Sequence, residues 1–121
     1  MTIQEWSDDI IVAEMSDDPQ FSEEMAALQD KLTGRSAHVV LNLGPVTFIN
    51  SSNIARLLRL RKQMSSDDRR LIICGANNQI WGVFQVTGLD KIFTFTADVA
   101  TALATIQLTP AEAADDDAGD E

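Results

Sequence analysis

The stretch that decides the fold runs from His38 to Met64 and reads HVVLNLGPVTFINSSNIARLLRLRKQM. Residues 38–43 are almost continuously apolar, which is typical of a strand covered on both faces by other elements. Gly44 and Pro45 turn the chain, and residues 46–49 predict a short extended segment. An amphipathic helix is predicted from residues 50–52 onward, with an apolar stripe made of Ile54, Leu57, Leu58 and Met64.

The flanking sequence continues this alternation of strands and helices. Strands are predicted at residues 3–6, 10–15, 71–74 and 93–95, and the first two form a hairpin. Three further helices are predicted from apolar residues at helical spacing, namely Phe21, Met25, Leu28 and Leu32, then Ile80, Val83, Phe84 and Val86, and last Val99, Ala102, Leu103 and Ile106. Ser22 and Asp98 are predicted helix caps, whereas Gly34 and Gly88 end helices. The order predicts an α/β fold, with a mixed, largely parallel sheet flanked by about four helices.

The length of 121 residues fits one domain, which we assign to residues 1–109. Residues 110–121 contain six acidic side chains and no basic one. Such a composition offers too little apolar surface to offset the entropy of ordering, so it predicts a disordered, solubilising tail. An acidic docking arm is the alternative.

Charge and hydropathy exclude several classes of protein. The net charge of −10 argues against a nucleic-acid partner, because such proteins present a basic surface to phosphates. The apolar runs are far shorter than the roughly 20 residues that a membrane span needs. The N-terminal residues have neither the basic nor the apolar part of a signal peptide, so a cytoplasmic location is predicted.

The side chains that usually carry catalysis are scarce. The chain has one His, His38, and one Cys, Cys74, and their surroundings favour structural roles in or beside buried strands. The acidic pairs Asp8-Asp9, Asp17-Asp18 and Asp67-Asp68 have turn-like surroundings and are interpreted as turn formers. No phosphate-binding loop or metal-ligand spacing is present. The sequence therefore predicts a protein that is not an enzyme and has no metal or cofactor.

The junction at Asn50-Ser51-Ser52 is more informative about function than His38, Cys74 or the acidic pairs. Three small polar side chains precede an amphipathic helix, where backbone N–H groups lack partners and the helix dipole is positive. An ordinary helix cap, made by Asn50 or Ser51, explains the pattern. A phosphate group would also be favoured at such a helix start, but composition alone favours the ordinary cap.

Several separated segments between residue 10 and about residue 108 resemble the STAS domain family, in particular its anti-sigma factor antagonists. These segments are residues 39–43 with 46–52, residues 57–58, residues 70–75 and residues 87–93. The resemblance implies the STAS-like fold and reversible binding to an anti-sigma factor that is also a serine/threonine kinase. It also implies that a serine phosphatase completes the cycle, and that binding frees a sigma factor.

By this resemblance Ser51 is the phosphorylated residue, since it is the first hydroxyl of a motif similar to Asp-Ser-Ser-Gly. The chain departs from the family at Asn50 and Asn53, where Asp and Gly are usual, and at residues 16–18. The predicted partner-binding residues are Asn50, Ser51, Ser52, Asn53, Arg56 and Arg59. Arg56 and Arg59 are expected to be exposed and to meet an acidic patch, although a plain solvated helix face explains them as well.

Two other functions remain open from the sequence. A STAS module without a phosphorylation cycle, within a sensory or transport-associated complex, is the first alternative. The second is binding of a nucleotide or another small ligand by the loops near Asn50 and Asn77.

Overall fold

Strands and helices alternate along the chain in the predicted order. The computed structural model describes residues 2–65 and 69–108. The strands are β1 (Thr2–Glu5), β2 (Ile10–Glu14), β3 (His38–Asn42), β4 (Leu71–Cys74) and β5 (Thr94–Thr96). The helices are α1 (Gln20–Leu32), α2 (Ser51–Ser65), α3 (Asn78–Thr87) and α4 (Val99–Leu108), with a 3₁₀ turn at Leu89–Lys91.

The five strands form one sheet in the order β1-β2-β3-β4-β5. β1 and β2 form the predicted antiparallel hairpin, and the other neighbouring pairs are parallel. Each parallel crossover contains one helix, as a connection between parallel strands requires. The prediction of a mixed, largely parallel α/β sheet is therefore confirmed.

The sheet separates two apolar layers of unequal size. The larger layer joins α1, α2 and α3 to one face of the strands through buried side chains that include Phe21, Leu28, Leu57, Leu60 and Phe84. On the other face α4 contributes Ala102 and Ile106, which pack on Ile10, Val12, Val40, Ile72 and Cys74. Since both faces of β2, β3 and β4 are covered, the interiors of these strands are apolar, and their polar residues Glu14, His38 and Asn42 stand at strand ends.

Most predicted helix boundaries are confirmed, and one cap is wrong. Asp98 accepts the backbone N–H of Thr101 at 2.8 Å, as expected of a cap for α4. Gly88 ends α3 with φ of 79° in the left-handed region. Ser22, however, lies inside α1, which begins after Pro19 without a side-chain cap.

Some predictions about side chains in the core are also wrong. Val86 is 89% exposed on α3 instead of facing the core. Leu58 is 37% exposed, whereas Leu60, absent from the predicted stripe, is fully buried.

Several predictions concern residues outside those that the structure describes. The predicted tail, residues 110–121, lies there, as does the Asp67-Asp68 pair. None of the helices within residues 2–65 and 69–108 has the length and apolar character needed to cross a membrane.

Candidate functional site

Ser51 is the first residue of α2 and lies beyond the carboxyl end of β3. Its side chain and that of Ser52 are exposed, while Ile49 is buried just before them and anchors the chain. The backbone N–H groups of a first helical turn have no partners within the helix, so an exposed hydroxyl here adjoins a region of positive potential.

Asn50 and Asn53 cap α2 reciprocally. Asn50 Oδ1 accepts the backbone N–H of Asn53 at 2.8 Å, and Asn53 Oδ1 accepts the backbone N–H of Asn50 at 3.1 Å. The backbone N–H of Ile54 also donates to the Asn50 carbonyl at 3.0 Å. The two amides thus make a capping box around Ser51 and Ser52, which confirms the prediction that Asn50 caps this helix.

Asp18 closes the capping box from the loop between β2 and α1. Its Oδ2 accepts Nδ2 of Asn50 and Nδ2 of Asn53, both at 3.2 Å, and its Oδ1 accepts the Ser22 hydroxyl at 3.2 Å. Partial desolvation raises the pKa of Asp18, but the hydrogen bonds from Asn53, Asn50 and Ser22 outweigh it and hold the pKa below its ordinary value. Asp18 is therefore a carboxylate at neutral pH.

Asp17 fixes the chain just ahead of Ser51. Its Oδ2 accepts the Thr47 hydroxyl at 2.6 Å, and its Oδ1 accepts the Thr47 backbone N–H at 2.9 Å. These bonds lower the pKa of Asp17. The loop that carries Asp17 is held in turn by the buried Glu24, whose Oε1 accepts the Ser16 N–H at 2.8 Å.

Asn77, at the start of α3, supports the same segment from the other side. Its Nδ2 donates to the carbonyls of Val46 and Thr47 at 3.3 and 3.2 Å, and its Oδ1 accepts the Ile80 N–H at 2.9 Å. Three loops at the carboxyl edge of the parallel strands therefore meet around the segment that leads into Ser51. This edge is where open α/β sheets most often carry their sites.

The exposed face of α2 continues from Ser51 along the helix. Ser51, Ala55, Leu58 and Lys62 are spaced at i, i+4, i+7 and i+11, which places them in one row, exposed except at the half-buried Ala55. Arg59 lies beside this row and is exposed. The outward position of Leu58 corrects the prediction that it packs beneath the sheet.

Two predicted partner-binding residues are less accessible than the sequence suggested. Arg56 is half-buried on a flank of α2 and not on the exposed row. Asn53 is 3% exposed, so it can contribute to partner binding only indirectly, by positioning Asn50 and the start of α2. Phe48, which is not among the predicted partner-binding residues, is 48% exposed three residues before Ser51.

The sequence did not predict that the side chains of Asp17 and Asp18 bind the segment around Ser51. Their partners Thr47, Asn50 and Asn53 are 30 to 35 residues away in the chain, and the acidic pair has a turn-like composition. A pattern within one sequence carries no signal of such pairing. The interpretation of the pair as turn formers was correct for the backbone and incomplete for the side chains.

Cys74 and His38, the two residues considered for catalysis, lie in surroundings that favour a structural role. Cys74 is buried in β4, and desolvation raises its pKa to about 11, so it is a neutral thiol. His38 is half-buried and its Nδ1 accepts the Arg70 N–H at 3.1 Å. Desolvation and the charges of Arg69 and Arg70 lower the pKa of His38. Within the described ranges no three His, Cys, Asp or Glu residues are grouped as a metal site would require.

An open groove of about 340 Å³ lies beside the Asn77 loop. It is lined by Ala76, Trp81, Phe95, Thr96 and Ala97. The Trp81 and Phe95 rings contact each other edge to face, with centroids 4.9 Å apart. Asn50 is not among the lining residues, so the two loops predicted to share a small ligand do not share this groove.

Known proteins show the same architecture. The family model for the STAS domain matches residues 3–102. An anti-sigma factor antagonist STAS domain protein from Planctomyces limnophilus is 18% identical, with 88% of this chain and 97% of that chain covered and a TM-score of 0.77.

SpoIIAA, an anti-sigma factor antagonist, is similar to this chain in two solved forms. Its unphosphorylated form is 13% identical over 90% of this chain and 97% of that chain, with a TM-score of 0.75. Its phosphorylated form, from Bacillus, is 16% identical over 87% and 97% of the two chains, with a TM-score of 0.69. These likenesses concern the fold, and the family match extends through every strand and into α4. The chain therefore belongs to the STAS domain family.

Proposed function

We propose that this protein is an anti-sigma factor antagonist controlled by phosphorylation of Ser51. In the unphosphorylated state it binds and sequesters an anti-sigma factor that is also a serine kinase, and so frees a sigma factor. The observation that carries the proposal is the exposed Ser51 hydroxyl at the first position of α2, within a fold shared with anti-sigma factor antagonists.

The surroundings of Ser51 support a phosphate without loss of the fold. A phosphoserine adds roughly −1.5 to −2 charges, and a helix N-terminus stabilises negative charge. The side chain is exposed, so the added oxygens need no space in the core. The expected effect of the modification is therefore a change of surface and not unfolding.

In this proposal the partner kinase, and not the STAS protein, catalyses the phosphorylation. The Ser51 oxygen attacks the γ-phosphorus of ATP held by the kinase, ADP leaves, and the hydroxyl proton passes to a base of the kinase. A serine phosphatase reverses the modification by hydrolysis. The STAS protein itself needs no catalytic group, cofactor or metal for this role.

The surface that meets the partner combines polar and apolar contacts. Asn50, Ser51 and Ser52 form its polar end at the helix start. Phe48, three residues before Ser51, and Leu58, in the helix row that contains Ser51, are exposed apolar side chains, and such residues favour close protein contact. Arg59 adds a positive charge beside Leu58 that suits an acidic patch on the partner. A dianion on Ser51 would have to be desolvated in this interface, which opposes binding.

The test is phosphorylation by an anti-sigma factor kinase that binds the protein in its own cells. With ATP, the wild-type protein should acquire one phosphate and Ser51→Ala none, as counted by intact mass spectrometry. Ser52→Ala is the matched control and should still be modified, since Ser52 is also exposed but is the second hydroxyl of the motif. Phosphate on Ser52, or on neither serine, would show that the switch is not at Ser51.

Binding provides the second measurement. Ser51→Ala should bind the kinase as wild type does, whereas Ser51→Asp should bind at least about tenfold more weakly, a difference of roughly 1.4 kcal/mol. Circular dichroism should show both variants folded, because the helix start accommodates the charge.

One observation favours a STAS module without a phosphorylation cycle. Asp18 holds a carboxylate on Asn50, the residue before Ser51, and Asp17 holds another on Thr47, four residues before Ser51, so a dianion on Ser51 has like charges among its neighbours. A protein whose Ser51→Asp variant binds its partner as wild type does would fit this constitutive role in a sensory or transport-associated complex.

A further inference from the structure

The exposed side of α2 is basic, although the chain as a whole is acidic. Four of the nine basic residues lie in this helix, which contains no acidic residue, whereas the net charge of the chain is −10. Arg59 and Lys62 are exposed and stand three residues apart, so their side chains are neighbours on the helix surface. Among the residues that the structure describes, no carboxylate forms an ion pair with either of them.

The other two cations of α2 are held differently. Arg61 donates from Nε to the Ile92 carbonyl at 3.3 Å, and Arg56 is half-buried. An anionic segment that approaches the exposed side of the helix therefore meets Arg59 and Lys62 first. Carboxylates close together in sequence have the chemistry to pair with both cations at once.

The end of the chain has the complementary charge. Residues 110–121 contain six acidic side chains and no basic one, and three of the acids are consecutive at Asp115, Asp116 and Asp117. A single exposed ion pair is weak. Several pairs act together here, however, and attachment to the same chain gives the acidic segment a high effective concentration at the helix.

The contacts of Arg69 and Arg70 place the end of α4 beside the end of α2. The backbone N–H of Arg69 donates to the Met64 carbonyl in the last turn of α2 at 3.3 Å. Arg70 donates from Nη1 to the Thr105 carbonyl in the last turn of α4 at 3.0 Å. Two adjacent basic residues thus join the ends of helices that pack on opposite faces of the sheet. Twelve extended residues span up to roughly 40 Å, so the segment after α4 is long enough to cross to Lys62.

We propose that the acidic segment 110–121 passes over Arg69 and Arg70 and docks on the face of α2 that carries Arg59 and Lys62. The occupant of this surface is a segment of the same chain, which is the docking-arm interpretation of the acidic tail. Arg59 also belongs to the surface assigned to the anti-sigma factor, so the docked tail competes with an acidic patch of that partner. Only this competition rests on the proposed function.

Cross-linking of the full chain with a water-soluble carbodiimide tests the contact. The reagent joins a lysine amine to a carboxylate that touches it, and the chain has three lysines, Lys31, Lys62 and Lys91. Lys31 Nζ lies 2.9 Å from Glu5 Oε2, so this pair calibrates the reaction. We expect Lys62 to couple mainly to carboxylates of residues 110–121, as identified by mass spectrometry of the linked peptides.

Lys91 distinguishes docking from simple attachment. It is exposed, and the carbonyl of its neighbour Ile92 accepts the Arg61 bond, so Lys91 lies near α2 and within reach of the same segment. A tail that is attached but not docked couples to Lys62 and Lys91 alike, whereas a docked tail should favour Lys62 about fivefold. Because the contact is ionic, this preference should disappear in roughly 1 M NaCl, where charges are screened beyond about 3 Å.

Two variants test the role of the basic face. Arg59→Gln keeps the reactive amine of Lys62 but removes its neighbouring cation, so coupling of Lys62 to the tail should fall about threefold. Arg35→Gln is the matched control, since it changes the net charge equally at a residue that already pairs with Glu5. It should leave the coupling of Lys62 unchanged.

Competition with the partner is measured separately. Asp115→Asn/Asp116→Asn/Asp117→Asn should associate with the anti-sigma factor kinase about threefold faster than wild type in low salt, because less of the basic face is covered. An unchanged association rate together with the expected cross-links would mean that the tail docks without competing. If wild type binds no anti-sigma factor, the proposed function fails, and the cross-links still decide whether the tail docks.

Three results would overturn the docking itself. Equal coupling to Lys62 and Lys91, or coupling that Arg59→Gln does not lower, would show a tail that is attached and not docked. Coupling of Lys62 to Asp67 or Asp68 in place of the tail would assign the counter-charge to that acidic pair. In a mixture of isotope-labelled and unlabelled protein, tail cross-links of mixed isotope content would show that a second copy supplies the acidic segment.

Discussion

Leu57 and Leu58 are adjacent in the chain but lie on different faces of α2. Leu57 is fully buried in the larger apolar layer, whereas Leu58 is 37% exposed in the row that contains Ser51. Leu57→Ala should therefore lower the free energy of unfolding by about 2–5 kcal/mol, and Leu58→Ala by less than about 1 kcal/mol. Urea unfolding measures both losses. Equal losses would mean that Leu58 packs in the core after all.

The same pair shows what a helical pattern can and cannot predict. Apolar residues occur at positions 54, 57, 58, 60 and 64, which span more of the helix circumference than one buried face can cover. Each residue advances roughly 100° around the helix, so Leu58 or Leu60 must leave the core. The sequence predicted the helix and its start correctly. The choice between the two leucines depends on which flank of α2 packs into the larger apolar layer, and that information is in the tertiary packing.

At the scale of elements, the loops at the carboxyl edge are held by close contacts. Gly75 has φ of 75°, and a Cβ there would lie 2.7 Å from Asn42 Oδ1 and 3.1 Å from the Gly44 backbone nitrogen. Gly75→Ala should therefore lower the free energy of unfolding by more than about 1 kcal/mol. Thermal unfolding measures the effect.

Gly82 is the matched control because it lies inside α3, where a Cβ at this position would have no atom within 4 Å outside its own stretch of helix. Gly82→Ala should raise the free energy of unfolding by about 0.5–1 kcal/mol, since alanine loses less backbone entropy in a helix. A destabilised Gly82→Ala protein would contradict the open surface at this position.

The strands that these loops join were predictable from their apolar runs, whereas the contacts between the loops were not, because Asn42 and Gly75 are far apart in the chain.

For the whole molecule, the response to acid follows from the carboxylates of the site. The pKa values of Asp17 and Asp18 lie below their ordinary value of 3.8 in the folded protein. The unfolded chain therefore binds more protons as the pH falls, so these groups stabilise the fold above about pH 4 and lose that effect below it. The melting temperature should be nearly constant from about pH 7 to 5 and fall below about pH 4.

Asp17→Asn should have a shallower acid decline than wild type, because one of the groups responsible is removed. The melting temperature of both proteins measured across the same pH range checks this. An unchanged acid decline in Asp17→Asn would show that its bonds to Thr47 do not contribute to folding. Glu5 and Asp98 also have lowered pKa values, the first from Lys31 and Arg35 and the second from Thr101, so some decline should remain.

The unequal covering of the sheet has a consequence for how the chain is made. Among the described elements, α4 is the last to be synthesised, and it alone covers the face that carries Val40 and Ile72. A ribosome-bound chain that has not yet released α4 exposes this apolar face, even if the opposite layer is already packed. Because neighbouring strands are also consecutive in the chain, each one can dock as it emerges. Biosynthesis therefore reaches Ser51 and its carboxylates early, but the domain becomes fully protected only when its last helix has left the ribosome.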